Sequence, residues 1–323
     1  MISFGSVILS TGSGAWLETL PNPNPLNLPP FTMRFEFGDP AFDPTADQMF
    51  YYGTWTQVSS SPNVWDFTKT PDEFVTDWSY TFNGKFSSSD NPVKVLGANT
   101  TGVTSMKDMF RLLPYLTEVA LFDTSSVTDM SGMFWCDESL VSVGAFSTGN
   151  VTDMSRMFLD CKAIASVPAF NTERVVTMRE MFSGAESLAE LPAFETGNVA
   201  NMAFMLQDCY LLREIPAMDT HNALYLTGFA SNCIRLDRIP TLNVGKVGGA
   251  GDLDADTQHP MGAAESAFAS CPAVSAGILS MYNALSSNNH LTSALSHHET
   301  FAACGIDTVS GTAELAQIPA GWR

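Results

Sequence analysis

The chain has 323 residues, 45% of them hydrophobic, and carries 34 acidic against 15 basic side chains for a net charge of −19. That length fits two domains or one long array, and the charge sets nucleic acid aside as a partner because such a surface repels a phosphate backbone. No stretch approaches the roughly 20 consecutive apolar residues that span a bilayer, so no membrane insertion is expected.

The opening residues, Met1-Ile2-Ser3-Phe4-Gly5, offer no basic n-region, and Val7-Ile8-Leu9 is too short for a signal-peptide core, so no export leader is expected. Residues 1–95 are rich in proline (Pro21, Pro23, Pro25, Pro29, Pro30) and in aromatics (Trp55, Trp65, Trp78, Tyr80, Phe82). Phe31 through Phe37 alternates apolar and polar side chains as a half-buried strand does. This region is expected to be a β-rich cap or attachment domain, because the first unit of a repeat array needs its open face shielded from water.

Residues 96–241 carry a 24-residue period, read as six tandem units. Met109-Phe110 returns as Met133-Phe134, Met157-Phe158 and Met181-Phe182, then decays to Met205-Leu206 and Phe229-Ala230. Val103, Val127, Val151, Val175 and Val199 form one column, and Met106, Met130, Met154, Met178 and Met202 another. Leu116, Leu140, Ile164, Leu188, Leu212 and Leu236 form a third; Val119, Val143, Val167, Leu191, Ile215 and Ile239 form a fourth. Tandem units without an indel imply a solenoid in which each unit covers its neighbour's apolar face. Val151, Met154, Met157 and Phe158 are spaced as one side of a short helix, and Thr148, Thr172, Thr196 and Thr220 stand where an N-cap oxygen is wanted. The phrase Leu140-x-x-Val143-x-Ala145 has the spacing of a leucine-rich-repeat strand. Pro168, Pro192, Pro216 and Pro240 share the next column and cannot donate to a ladder, so strands of about three or four residues are expected. The expected fold is therefore an α/β repeat: a leucine-rich-repeat-like solenoid of short parallel strands and short helices, with a β-rich N-terminal domain and a C-terminal cap.

Residues 242–323 are predicted to be degenerate repeats with a helical insertion that end as the cap. Pro272 opens a predicted helix through Ala273–Leu285. Phe268-Ala269-Ser270-Cys271 and Phe301-Ala302-Ala303-Cys304 echo Phe229-Ala230-Ser231-Asn232-Cys233, and Leu315 through Pro319 repeats the strand phrase of Leu236 through Pro240.

Six cysteines (136, 161, 209, 233, 271 and 304) include no C-x-x-C, which excludes zinc-finger and thioredoxin chemistry. Cys161, Cys209 and Cys233 share a column with Asp137 and Ala185, a pattern suited to small buried thiols, while a bridge between Cys209 and Cys233 stays open. The histidines (221, 259, 290, 297, 298) form no metal motif, and His297-His298-Glu299 reads as a solvated turn. Gly12-Ser13-Gly14 lacks the lysine of a phosphate loop. Asp252, Asp254 and Asp256 begin like a calcium loop, but Thr257 and Ala263 stand where glycine and glutamate are required. No catalytic residue, metal or cofactor is expected.

The run Phe122-Asp123-Thr124-Ser125-Ser126-Val127-Thr128-Asp129-Met130-Ser131-Gly132-Met133-Phe134 resembles the repeat phrase of the BspA-like leucine-rich-repeat family, in the branch of mycoplasma surface lipoproteins. The segment from Phe301 to Pro319 is similar to the tail of such arrays in gut-bacterial and prophage proteins. The resemblance implies surface display and binding to host molecules, with no catalytic residues to carry over. The chain departs from the bacterial adhesins in showing no lipobox or wall anchor, which turns the expectation toward a virion component.

Three readings follow. The first is a non-enzymatic binding protein on a phage particle, in a tail, fibre or capsid decoration, at the virion surface. Its partners are other virion proteins or a host-surface protein or glycan, and homo-oligomerisation is left open. The second is a bacterial cell-surface or extracellular adhesin. The third is a glycan-active enzyme sited among Glu18, Glu36, Asp39, Asp43 and Asp47. The expected binding surface is the variable strand column Glu118, Ser142, Ser166, Glu190, Glu214 and Arg238, which changes from unit to unit while the core columns hold.

Overall fold

The computed structural model describes residues 31–41, 43–45, 53–60, 62–69, 76–84, 92–249, 263–291 and 297–323. Strands β1 (Thr32–Phe37), β2 (Gly53–Ser60), β3 (Asn63–Lys69), β4 (Pro92–Asn99), β5 (Glu118–Val119) and β6 (Ser142–Val143) form one mixed sheet in the order β2-β3-β1-β4-β5-β6. The first three joins are antiparallel; β4–β5 and β5–β6 are parallel. Alternation makes β1: Met33, Phe35 and Phe37 are buried, and on the opposite face Arg34 meets its cross-strand neighbour Asp66 through two bonds of 2.6 and 2.8 Å.

Beyond β4 the chain stacks on itself through backbone bonds between successive units. In one turn, the N–H groups of Met130, Gly132, Phe134 and Cys136 donate to the carbonyls of Asp153, Ser155, Met157 and Leu159 at 2.8–3.0 Å. The intervening N–H groups of Met133, Trp135 and Asp137 turn inward to carbonyls three residues back. Alternation of this kind needs two left-handed residues per turn, here Gly132 (φ 62) and Cys136 (φ 64). A second ladder of single parallel bridges links Asp77, Ser105, Asp129, Asp153, Thr177, Asn201 and Tyr225 in sequence.

The expectation of an alternating α/β leucine-rich-repeat solenoid is thus overturned. Among the described residues there are two short α-helices, α1 (Ile278–Ser286) and α2 (Val309–Leu315), and one 3₁₀ turn (Ala320–Trp322). None lies in a regular repeat. The physical reason is competition for the same donors. A helix sends every N–H back four residues and has a costly nucleus in so short a segment, whereas here half of the donors find acceptors on the neighbouring unit. Val151, Met154, Met157 and Phe158 are fully buried, as a helical face requires, but on the inside of a stacked turn.

The threonine column is corrected with it. Thr148, Thr172, Thr196 and Thr220 cap no helix; their buried hydroxyls donate to the carbonyls of Asn171, Glu195, Asp219 and Asn243 at 2.8–2.9 Å, each 23 residues on. Thr172→Val is therefore expected to cost about 1–3 kcal/mol, because it orphans a carbonyl inside the stack; a urea titration measures it.

Strands are shorter than expected. Ala120 and Gly144 donate to Val95 and Val119 and continue the ladder after β5 and β6. In the following units the same position holds Pro168, Pro192, Pro216 and Pro240, and no strand is assigned there beyond a single bridge between Arg238 and Ala276.

The core is a set of columns. Phe82, Phe110, Phe134, Phe158 and Phe182 stack with ring centroids 5.4–5.7 Å apart and planes within 20° of parallel. At the N-terminal end, Phe35 and Phe67 cover Phe82 at 4.9 and 5.1 Å. At the other end, two turns (263–270 and 297–304) continue the ladder with longer spacing, and Phe268 stacks on Phe301 at 6.2 Å. The Phe301 N–H then donates to the Trp322 carbonyl, and Trp322 packs on Tyr282 and His297. The predicted helix at 273–285 begins later, at Ile278, because Ser275 and Ala276 pair with Asp237 through Ile239. The Leu315–Pro319 segment is no strand phrase: Leu315 ends α2, whose start is capped by the Thr308 hydroxyl accepting from Gly311 at 3.0 Å.

Candidate binding face

Glu118, Ser142, Ser166, Glu190, Glu214 and Arg238 are all exposed, each on its own unit and in one column. Their position follows from the residues around them. Leu116, Leu140, Ile164, Leu188, Leu212 and Leu236 are fully buried two residues earlier, and Val119, Val167, Ile215 and Ile239 are buried one residue later. Anchored on both sides, the intermediate side chain has nowhere to point but outward. The parallel pairing Lys94↔Glu118↔Ser142 fixes the register and extends the column back to Lys94. Sequence reasoning missed Lys94 because β4 lacks the repeat phrase that marks the later units.

The charges along the column are uneven. Lys94 Nζ lies 3.1 Å from Glu118 Oε1, then come neutral Ser142 and Ser166, then Glu190 and Glu214, then Arg238. Beside it, Arg213 and Asp237 approach at 3.7 Å. Among the described residues the Arg238 guanidinium has neither a hydrogen bond nor an ion pair. Ala145, Ala169, Ala193 and Ala217 are exposed three residues further on, so the face has low relief. Both members of the Lys94–Glu118 pair are well exposed, so Glu118→Gln should change the melting free energy by no more than about 1 kcal/mol, as read by denaturant titration.

The remaining titratable groups serve the stack. All six cysteines are free. The Sγ atoms of Cys161, Cys209 and Cys233 donate to the carbonyls of Phe134, Phe182 and Leu206 at 3.0–3.3 Å, and burial pushes these thiols above their ordinary range. Cys136, partly exposed, is pushed up to about 11 by burial and by Asp160. Asp137 occupies the thiol column, fully buried; Oδ1 accepts from the Leu113 N–H at 2.8 Å and Oδ2 has no partner, so burial raises its carboxyl well above the usual range.

Among the described residues no group of three or more His, Cys, Asp or Glu could hold a metal ion, and no helix is long and apolar enough to cross a membrane. His297 stacks on Trp322 with centroids 4.1 Å apart, and His298 is 3.9 Å from Glu299. Glu36 sits half-buried on β1, while Asp39 and Asp43 accept from the N–H groups of Ala41 and Thr45 in local turns. Glu18, Asp47, His259, Asp252, Asp254, Asp256 and Gly12 through Gly14 lie outside the described residues.

The columns, the turn ladder and the phrase repeated every 24 residues mark this segment as a tandem array. The profile of a family described as "Mycoplasma protein of unknown function, DUF285" matches residues 76–166 and again 136–233. Residues 76–233 are thus similar to the repeats of that mycoplasma family. The match begins at residue 76, where the first turn of the ladder pairs Asp77 with Ser105. Comparisons with curated proteins and with solved structures give no match.

Proposed function

We propose that the chain is a non-enzymatic, BspA-like binding protein displayed on a phage particle, with the strand column from Glu118 to Arg238 as the face that meets a host-surface protein or glycan. The observation that carries this reading is the column itself: six side chains of differing charge and size, all exposed, held in register by buried neighbours. A stack whose exposed column varies from unit to unit suits recognition, because side chains on the face change without disturbing the core. The phage setting rests on the similarity of the C-terminal segment to prophage arrays. The repeat type is equally compatible with a bacterial surface adhesin.

The test has two parts. The chain should co-purify with density-banded virions and be labelled on their surface by specific antibody. Recovery in the envelope of uninfected cells instead would replace the phage reading with the adhesin reading. Glu190→Lys with Glu214→Lys should reduce binding of the purified chain to host cells at least tenfold, with thermal stability unchanged. Undiminished binding would reject the column as the recognition face.

A further inference from the structure

One break in the stack lies at the end of this column. The regular units follow one another at 24-residue spacing, but Arg238 pairs with Ala276, and the Ile239 N–H donates to the Ala276 carbonyl at 3.0 Å. The chain then turns at Gly277, where φ is +99 and an added Cβ would lie 2.4 Å from the Ile239 carbonyl oxygen. Only glycine fits that turn. It leads into α1 (Ile278–Ser286) instead of onward as a strand phrase, beside the half-buried Pro240 and the exposed Thr241. The result is an open cleft of about 310 Å³ lined by Arg238, Pro240, Thr241, Ala276, Gly277 and Ser280.

Its chemistry is specific. Arg238 is the one cation lining it, and among the described residues its guanidinium has no partner, within a chain of net charge −19. A guanidinium fork matches a carboxylate through two parallel hydrogen bonds. The start of α1 adds no second anion seat, because the Leu279 N–H is already taken by Glu314 Oε2 at 3.0 Å. One fork with acidic residues nearby suits a single negative charge better than a dianion. The Ser280 hydroxyl donates to the Gly277 carbonyl at 3.1 Å and keeps its lone pairs for an incoming donor; among the described residues the Thr241 hydroxyl makes no hydrogen bond. The volume falls at the small end of the roughly 300–1,000 Å³ of ligand pockets.

We propose that this cleft binds one carboxylate-bearing sugar unit, Arg238 holding the carboxylate and Thr241 and Ser280 holding ring hydroxyls. It rests on the binding-face reading above and assigns the C-terminal end of that face a ligand class, an acidic glycan.

The test is titration of the full chain, by calorimetry and ligand-observed NMR, with glucuronic acid, glucose and acetate. Glucuronic acid should saturate with a Kd of about 1 mM; glucose, which lacks the carboxylate, and acetate, which lacks the hydroxyls, should each bind at least tenfold more weakly. Arg238→Met should abolish glucuronic acid binding, and Arg238→Lys, which keeps the charge and loses the fork, should weaken it severalfold. Thr241→Val should weaken glucuronic acid and leave acetate unchanged. Equal binding of glucose and glucuronic acid, equal binding of acetate, an unaffected Arg238→Met, or no saturation by glucuronic acid would each overturn the proposal. Should the cleft fail while Glu190→Lys with Glu214→Lys still abolishes cell binding, the face reading stands without it. Should both fail, the face reading falls too.

Discussion

Phe158→Ala is expected to destabilise the array by about 3–5 kcal/mol, the range for truncating a fully buried aromatic. The ring is wholly buried, with Phe134 5.4 Å away on one side and Phe182 5.6 Å away on the other, and Phe170 packs at its flank at 6.2 Å. Its backbone is pinned as well: the Phe158 N–H donates to the Met181 carbonyl and the Met157 carbonyl accepts from Phe134. The surrounding turns cannot collapse into the void without breaking that ladder, so the upper part of the range applies. Because each unit contacts only its neighbours, the loss should appear as a lower urea midpoint with early exposure of the central units. Hydrogen exchange should show amides of the turns at 130–136 and 178–184 opening before those of β1 and β3. A uniform loss of protection, or a change below about 1 kcal/mol, would contradict the column account.

The second large effect concerns Asp137. Its carboxyl is fully buried, one oxygen has no partner, and burial holds its proton well above the usual carboxylate range. The folded chain therefore binds this proton more tightly than the unfolded chain does. The stability it contributes is complete below the unfolded value, near the ordinary 3.8, and is lost as pH rises from there through the raised folded value. Glu180, held low by Arg156 and Arg179 against its own burial, works in the opposite sense and loses its contribution as pH falls. Asp137→Asn keeps an acceptor for the Leu113 N–H and removes the titration. The variant is expected to be more stable than the parent at pH 8, with the difference closing toward pH 4. Parallel curves of urea midpoint against pH for the two chains would show that Asp137 is not the group responsible.

These effects also indicate what could be read from the amino acids. The inward columns were legible because stacking gives every unit the same neighbour at the same position, so Met130, Met154 and Met178 meet one environment and recur as one residue type. The exposed column was legible as what remains between the buried ones. The turn ladder was not. Spacing of three residues, as in Val151, Met154 and Met157, is shared by a helical face and a stacked turn. The left-handed positions that distinguish them carry little glycine signal. Arg156, Glu180 and Phe204 hold the same place as Gly132 and Gly228, with positive φ throughout. Those side chains reach over the following unit: Arg156 pairs with Glu180 at 2.5 Å, and a Cβ on Gly228 would lie 2.3 Å from the Phe204 ring. The strain of a non-glycine residue there, of order 1–2 kcal/mol, is offset by contacts that single-sequence reading does not see.

Insertions hid the rest. Asp77 and Ser105 pair across 28 residues, so the first turn at 76–84 falls out of the 24-residue register. Lys94 stands in register, 24 residues before Glu118, and was lost to the column because β4 carries none of the repeat phrase. Arg238 was assigned to the exposed face, but its cleft depends on Ala276 and Gly277, brought beside it by a longer connection that no period announces.

Each repeat closes on its neighbour through backbone bonds from a stacked turn. Scalar couplings across hydrogen bonds, measured by NMR on the deuterated chain, test it most directly. Couplings are expected from the amide nitrogens of Gly132, Phe134 and Cys136 to the carbonyl carbons of Ser155, Met157 and Leu159. Couplings from Phe158 to Met154 and from Leu159 to Ser155, the four-residue pattern of an α-helix, would contradict it.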